Sequence, residues 1–173
     1  MAPHAVHCPP IVCIVGRKAV GKTTLIERLV PELKARGYRV ATVKRPPHPV
    51  ETDTPGKDSY RHFHAGADAT LVYGSTRLAL VRRHAQMPRL ESLVAEHLAD
   101  ADIVLAEGHK GSSLPKIEVF RAGVHPSPLY TGQPDVLALA TDAPLEAAVP
   151  CLDLDDATAV ADFIARRFPL QRN

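Results

Sequence analysis

The sequence predicts an α/β protein: three layers, with helices packed on a mostly parallel sheet and one added β-hairpin. Short all-apolar runs alternate with amphipathic helical stretches, the pattern of parallel strands covered on both faces. The first run leads into Gly16-Arg17-Lys18-Ala19-Val20-Gly21-Lys22-Thr23, which fits G-x-x-x-x-G-K-[ST] at every fixed position. A strand precedes that loop and a helix follows it, the setting the phosphate-binding motif requires. The fold class is therefore that of the P-loop NTPases, in a single domain spanning 1–173.

Each element has its own signal. IVCIV (11–15) is a buried strand. KTTLIERLVPELKARG is a helix with Leu25, Leu29 and Leu33 on one stripe, stopped by Gly37, and Pro31 is expected to kink it rather than break it. YRVATVK (38–44) is the next strand, completing a βαβ unit. RPPHPVETDTPG (45–56) is a long loop, and KDSYRHFHAGA (57–67) a short helix closing at Gly66. ATLVYG and RLALVRRH form a hairpin, and MPRLESLVAEHLAD (87–100) a helix. ADIVLAEG (101–108) is a buried strand, KIEVFR (116–121) alternates as a half-exposed one does, and VLALATD (136–142) is buried again. DDATAVADFIARRF (155–168) is the last helix, with Asp155 or Asp156 as N-cap.

Composition narrows the function classes. The net charge of +2 is too mild for a nucleic-acid binder, which carries a strongly basic face. Cys8, Cys13 and Cys151 are odd in number and show no framework spacing, so a disulfide-stapled secreted fold is not expected. No apolar run reaches the roughly 20 residues of a membrane span, and MAPHAVHCPP lacks the layout of a signal peptide. The expectation is a soluble, cytoplasmic protein without nucleic-acid or membrane partners.

The chemistry follows from the loop. Gly16 and Gly21 let the backbone curl so that successive N–H groups, with the start of the following helix, cradle a phosphate. Lys22 reaches the β- and γ-phosphates and the Thr23 hydroxyl ligates Mg²⁺. Arg17 and Lys18 add charge at the mouth. A P-loop also needs an acid at the end of a neighbouring buried strand. Asp53, in the GTPase-like stretch TDTPGKDS, follows prolines rather than a strand and does not qualify. Glu107 ends ADIVLAEG, where its carboxylate opens onto the carboxyl edge of the sheet. Lys22 and Glu107 are thus the candidate catalytic pair, and Thr23 and Glu107 the candidate metal residues.

Six segments then carry a family resemblance: G-R-K-x-x-G-K-T-T-L at 16–25, V-K-x-x-x-H at 43–48, D-x-P-G-K-D-S-[WY]-R at 53–61, A-G-A at 65–67, A-D-[IL]-V-L-x-E-G-x-K at 101–110, and P-K-I-E-V-x-R at 115–121. With these the sequence resembles the MobB family, the molybdopterin-guanine dinucleotide biosynthesis adaptor proteins. The resemblance implies a P-loop fold of the signal-recognition and MinD branch, GTP and Mg²⁺ as ligands, slow hydrolysis at most, and a homodimer. It implies an accessory role beside the guanylyltransferase that joins GMP to molybdopterin, with molybdopterin itself as a possible contact. By position, Gly16 through Thr24 hold the phosphates, while Lys44, Asp53, Lys57, Asp58 and Arg61 belong to the signature loop. Two departures stand out. Ala19-Val20 replaces small polar residues, and Arg45 and Pro47 stand where the family carries histidines, leaving His48.

The base and the reaction stay open at this level. No N-K-x-D motif is present, but the strand-end Asp142 is a candidate acceptor for the guanine N1–H and N2–H₂. Arg77, Arg82, Arg83 and Arg89 leave room for a small-molecule kinase with an arginine lid, and the P-loop alone also suits a regulatory ATPase.

Overall fold

The computed structural model describes residues 8–46, 48, 53–129 and 132–170. Pro47 and residues 49–52 of the 45–56 loop lie outside them. Among the described residues the elements are β1 (Ile11–Val15), α1 (Lys22–Ala35), β2 (Val40–Lys44), α2 (Asp58–His64), β3 (Ala69–Tyr73), β4 (Leu78–Arg82), α3 (Leu90–His97), β5 (Ile103–Glu107), β6 (Lys116–Phe120), β7 (Val136–Thr141), β8 (Cys151–Asp153) and α4 (Ala157–Arg167). The chain divides into two compact units, one of residues 1–45 and 90–173, the other of 46–89.

The first unit is built on a six-stranded sheet in the order β2-β5-β1-β6-β7-β8, parallel throughout. Successive side chains of a strand face opposite ways, and the packing follows that period. Val12, Ile14, Ile103 and Leu105 join Leu25, Leu29 and Leu33 of α1 and Val160 and Ile164 of α4 in one core. Ile11, Cys13, Val15, Val104 and Ala106 pack with Leu90 and Val94 of α3 in the other. The sheet is therefore the middle of three layers. Each fully buried leucine of the α1 stripe contributes roughly 1.5–3 kcal/mol. Pro31 lies inside α1 without ending it, and Asp156 is the N-cap of α4, its Oδ1 accepting from the Ala159 amide at 2.9 Å.

One strand expectation needs correction. β6 is buried along its whole length rather than half-exposed, because it lies in the sheet interior between β1 and β7. Its polar residues find partners in neighbouring segments instead of facing water. Lys116, completely buried, donates to the carbonyl of Leu114 at 3.0 Å and to the Asp135 carboxylate, which the ammonium holds below the usual carboxylate range. Glu118 accepts from the Leu129 amide at 2.6 Å. The βαβ unit of β1, α1 and β2 lies in this parallel sheet, with β5 between its two strands. β8 was not anticipated, being three residues of mixed character at the sheet edge.

The second unit holds α2 and the antiparallel β3–β4 hairpin. Arg83 ties the two together: its guanidinium donates to the carbonyls of Ala67 (3.1 Å) and Phe63 (2.7 Å) and lies 4.2 Å over the Phe63 ring. Register pairs Leu71 with Leu80 and Tyr73 with Leu78, so these four side chains share one face of the ribbon. All are exposed in this chain, Tyr73 at 80% and Leu78 at 72%.

Candidate functional site

The carboxyl edges of β1, β5, β6 and β7 bring the site together. β1 ends at Val15 and the chain turns at Gly16, whose φ of 142° suits glycine. A Cβ there would lie 2.4 Å from the Val119 carbonyl oxygen of β6, so only glycine lets the loop cross the sheet this closely. Ala19 adopts a left-handed φ of 64°, a conformation that costs a side chain about 1–2 kcal/mol. Val20 turns inward and is buried in the core, anchoring the loop by packing. Gly21, at φ 99°, caps α1 without a side-chain acceptor, and the first turn carries no acidic residue. The free N–H groups of that turn and their partial positive charge are left for an anion. Arg17 and Lys18 are exposed at the mouth, and Thr24 is exposed in the first turn of α1.

Lys22 curls back over the loop and donates to the Arg17 carbonyl at 2.6 Å. Burial pushes its ammonium pKa down; Glu107 opposes this and Lys44 adds to it. Thr23 Oγ donates to Glu107 Oε2 at 3.0 Å, and Lys44 Nζ reaches the same oxygen at 3.3 Å. Lys44 and Glu107 are register partners at the ends of β2 and β5. A hydroxyl and a carboxylate oxygen converging beside a helix N-terminus are hard donors of the kind Mg²⁺ takes, with water completing its shell. The residues present thus fit the ion, and Thr23 and Glu107 are the ones that would hold it. Of the sequence candidates, the structure gathers Gly16 through Thr24, Lys44 and Glu107 into one cluster.

Asp142 follows β7, and both its oxygens are engaged. Oδ1 accepts from the Ala122 amide at 2.9 Å and Oδ2 from Arg121 at 3.2 Å. Arg121 is the residue that sequence reasoning missed. It follows β6, with Nη2 3.8 Å from where a Cβ of Gly21 would stand, so it links the phosphate loop to the end of β7. The signal was available as the final Arg of P-K-I-E-V-x-R. His109 is a second unforeseen feature. It holds φ 59°, and its Nε2 is buried with no hydrogen-bond partner among the described residues. Burial pushes its pKa down, nearby Arg45 adds to this and Glu91 opposes it.

The remaining candidates lie in the second unit and make local contacts there. Asp53 Oδ1 accepts from the Thr54 amide at 2.8 Å, and Arg61 pairs with Asp58 at 3.6 Å along α2. Lys57 precedes α2 as its extended N-cap residue. Arg83 is committed to α2, which removes it from any mobile arginine lid.

The sequence model of Molybdopterin guanine dinucleotide synthesis protein B, MobB, matches residues 11–142. The molybdopterin-guanine dinucleotide biosynthesis adapter protein of Escherichia coli K12 is 37% identical over 163 residues, covering 90% of this chain and 91% of its own. Its namesake from Haemophilus influenzae is 36% identical over 156 residues, covering 90% and 87%. Among solved structures, Bacillus subtilis MobB superposes with a TM-score of 0.73 at 27% identity, covering 95% of this chain and 99% of that one. A crystal structure of molybdopterin-guanine biosynthesis protein B gives 0.72 at 28%, covering 91% and 98%. The matched span runs from the first residue of β1 to Asp142 and so takes in the whole phosphate loop, Glu107 and the strand ends around them: the chain belongs to the MobB family.

Proposed function

We propose that this chain is a GTP-binding adaptor for molybdopterin guanine dinucleotide formation, acting in the cytoplasm beside the guanylyltransferase of that pathway, with slow hydrolysis at most. The observation that carries this is the meeting of Thr23 and Lys44 on one oxygen of Glu107, next to Lys22 and an uncapped helix start. Such a cluster binds a metal-nucleotide. Mg²⁺ held there would supply positive charge to offset that of the phosphates. The chain's own groups would do the rest: loop amides and Lys22 would hold the phosphates, Thr23 would give an oxygen to the ion, and Glu107 would orient a water beside it. No residue among those gathered is a water-positioning glutamine, which favours binding over turnover.

Guanine selection falls to Asp142. A carboxylate offers about four acceptor positions; two are taken by Ala122 and Arg121, and two serve the guanine N1–H and N2–H₂, donors that adenine lacks as a pair. Titrating GTP and ATP with and without Mg²⁺ tests the reading. Wild type binds GTP more tightly, and Mg²⁺ strengthens the binding. Glu107→Gln lowers the Mg²⁺ enhancement about tenfold, the scale of a water-mediated metal contact, while Asp142→Ala narrows the GTP-over-ATP preference. Equal binding of both nucleotides by wild type and by Asp142→Ala would remove guanine from the proposal. An undiminished Mg²⁺ effect in Glu107→Gln would remove the metal role of Glu107.

The homodimer is assigned to the hairpin. A two-stranded ribbon is at best marginally stable in water, and three or more strands with a packed apolar face are needed. Two copies of β3–β4 packed face to face cover Leu71, Tyr73, Leu78 and Leu80 of both. Solution mass by light scattering is expected to fall from dimer to monomer in the double variant Leu71→Ser/Tyr73→Ser. A monomeric wild type at tens of micromolar would exclude the assignment.

A further inference from the structure

We infer that Lys44 is a built-in cation guarding Glu107, so that the metal position opens only when a γ-phosphate arrives. This rests on the nucleotide-binding reading above and assigns to Lys44 a role that the reading does not contain. Among the described residues Glu107 is the one carboxylate of the cluster, 16% exposed, and its Oε2 meets the Thr23 hydroxyl at 3.0 Å and the Lys44 ammonium at 3.3 Å. Thr23 and Glu107 are the two groups on which a divalent cation would depend, and Lys44 sits on the oxygen they share. The ammonium already satisfies the carboxylate, and an incoming ion must displace it.

Lys44 is suited to leave. Its side chain is 60% exposed, and it ends β2 at the edge of the sheet, with the chain departing from the first unit after Arg45. Lys22, the first residue of α1 and next to Thr23, brings a second ammonium to the same cluster. Two ammonium groups facing one carboxylate leave the cluster with a surplus positive charge, and a third phosphate is what relieves it. A triphosphate draws both lysines: Lys22 exchanges the Arg17 carbonyl for phosphate oxygens, and Lys44 exchanges Glu107 for the γ-phosphate. Glu107 and Thr23 are then free for the cation. A diphosphate lacks the group that draws Lys44 away, so the guard stays closed. The coupling is reciprocal by thermodynamic necessity: what the triphosphate does for the metal, the metal does for the triphosphate.

The experiment has two arms on the full chain. In the first, Mn²⁺ alone is titrated into nucleotide-free protein and followed by electron paramagnetic resonance. Wild type binds weakly, Lys44→Met binds at least about 5-fold more tightly, the lower end of ordinary coupling between sites, and Lys44→Arg behaves as wild type. In the second, GTP and GDP are titrated in EDTA. Wild type prefers the triphosphate, Lys44→Met loses about 5-fold or more of that preference, and Lys44→Arg restores it. Unchanged Mn²⁺ affinity in Lys44→Met overturns the guard, and an unchanged triphosphate preference overturns the hand-over. If wild type binds neither nucleotide, the nucleotide-binding reading fails, and the Mn²⁺ arm still decides whether Lys44 shields Glu107. Circular dichroism melts establish that the variants are folded; Lys44→Gln replaces Lys44→Met should the latter melt early.

Discussion

Lys22→Ala is expected to lower GTP affinity at least ~100-fold while the protein stays folded. The ammonium makes two charge-assisted hydrogen bonds once triphosphate is bound, one to each of the β- and γ-phosphates, and such bonds contribute roughly 1.5–3 kcal/mol apiece. Losing both is about 3–6 kcal/mol, or more than two decades in the dissociation constant. The fold loses little. Lys22 is only partly buried at the start of α1, and its one recorded hydrogen bond is to the carbonyl of exposed Arg17, which water replaces. The mutation even removes a charge that burial disfavours. Isothermal titration with GTP and a thermal melt separate the two effects: affinity collapses, and the midpoint moves by a few degrees at most. A variant that retains wild-type affinity would mean that the phosphate is not held by this loop.

The same site illustrates what a sequence discloses and what it withholds. Gly16 to Thr23, Leu25-Leu29-Leu33 and the run into Glu107 are local signals. Each is set by backbone conformation or periodicity within a few residues, and each was legible. The three-layer order followed, because all-apolar strands interleaved with amphipathic helices have few other ways to bury both faces. The β3–β4 hairpin was legible for the same local reason.

What was not legible depends on contacts distant in the chain. The alternation of KIEVFR reads as half-exposed, yet Lys116 and Glu118 are buried because Asp135 and the Leu129 amide, 19 and 11 residues later, accept and donate to them. No local pattern announces a buried lysine whose partner stands just before the next strand. Arg121 was passed over because its meaning arises only where Gly21, Ala122 and Asp142 meet. The division of the chain at Arg45 and Leu90 was equally hidden: the segment between them reads as loop, helix and hairpin, and nothing in that order says that it packs as its own unit.

Gly16→Ala is expected to be the most destabilising single substitution in the phosphate loop, lowering stability by about 3–5 kcal/mol and abolishing nucleotide binding. Two costs add. A side chain at φ 142° is held in a region that costs roughly 1–3 kcal/mol. The new Cβ also stands 2.4 Å from the Val119 carbonyl oxygen and 3.1 Å from Val20 Cγ2. The valine side chain has some freedom, but the carbonyl belongs to the backbone of β6, which pairs with β1 on one side and β7 on the other. Relief requires moving either the sheet or the loop, and the loop is what carries the phosphate amides. With total stability of order 5–15 kcal/mol, this is a large fraction, and for a chain of this size it corresponds to a fall in melting temperature of about 10–15 °C. Gly123→Ala supplies the contrast: nothing lies within 4 Å of its added Cβ and its backbone is not left-handed, so its melt stays within about 2 °C of wild type, as ordinary surface changes do. Should the two variants melt together, the close crossing of Gly16 over β6 is not what fixes the loop. Should Gly16→Ala melt low yet bind GTP normally, the loop has shifted as a body and its amides do not depend on that crossing.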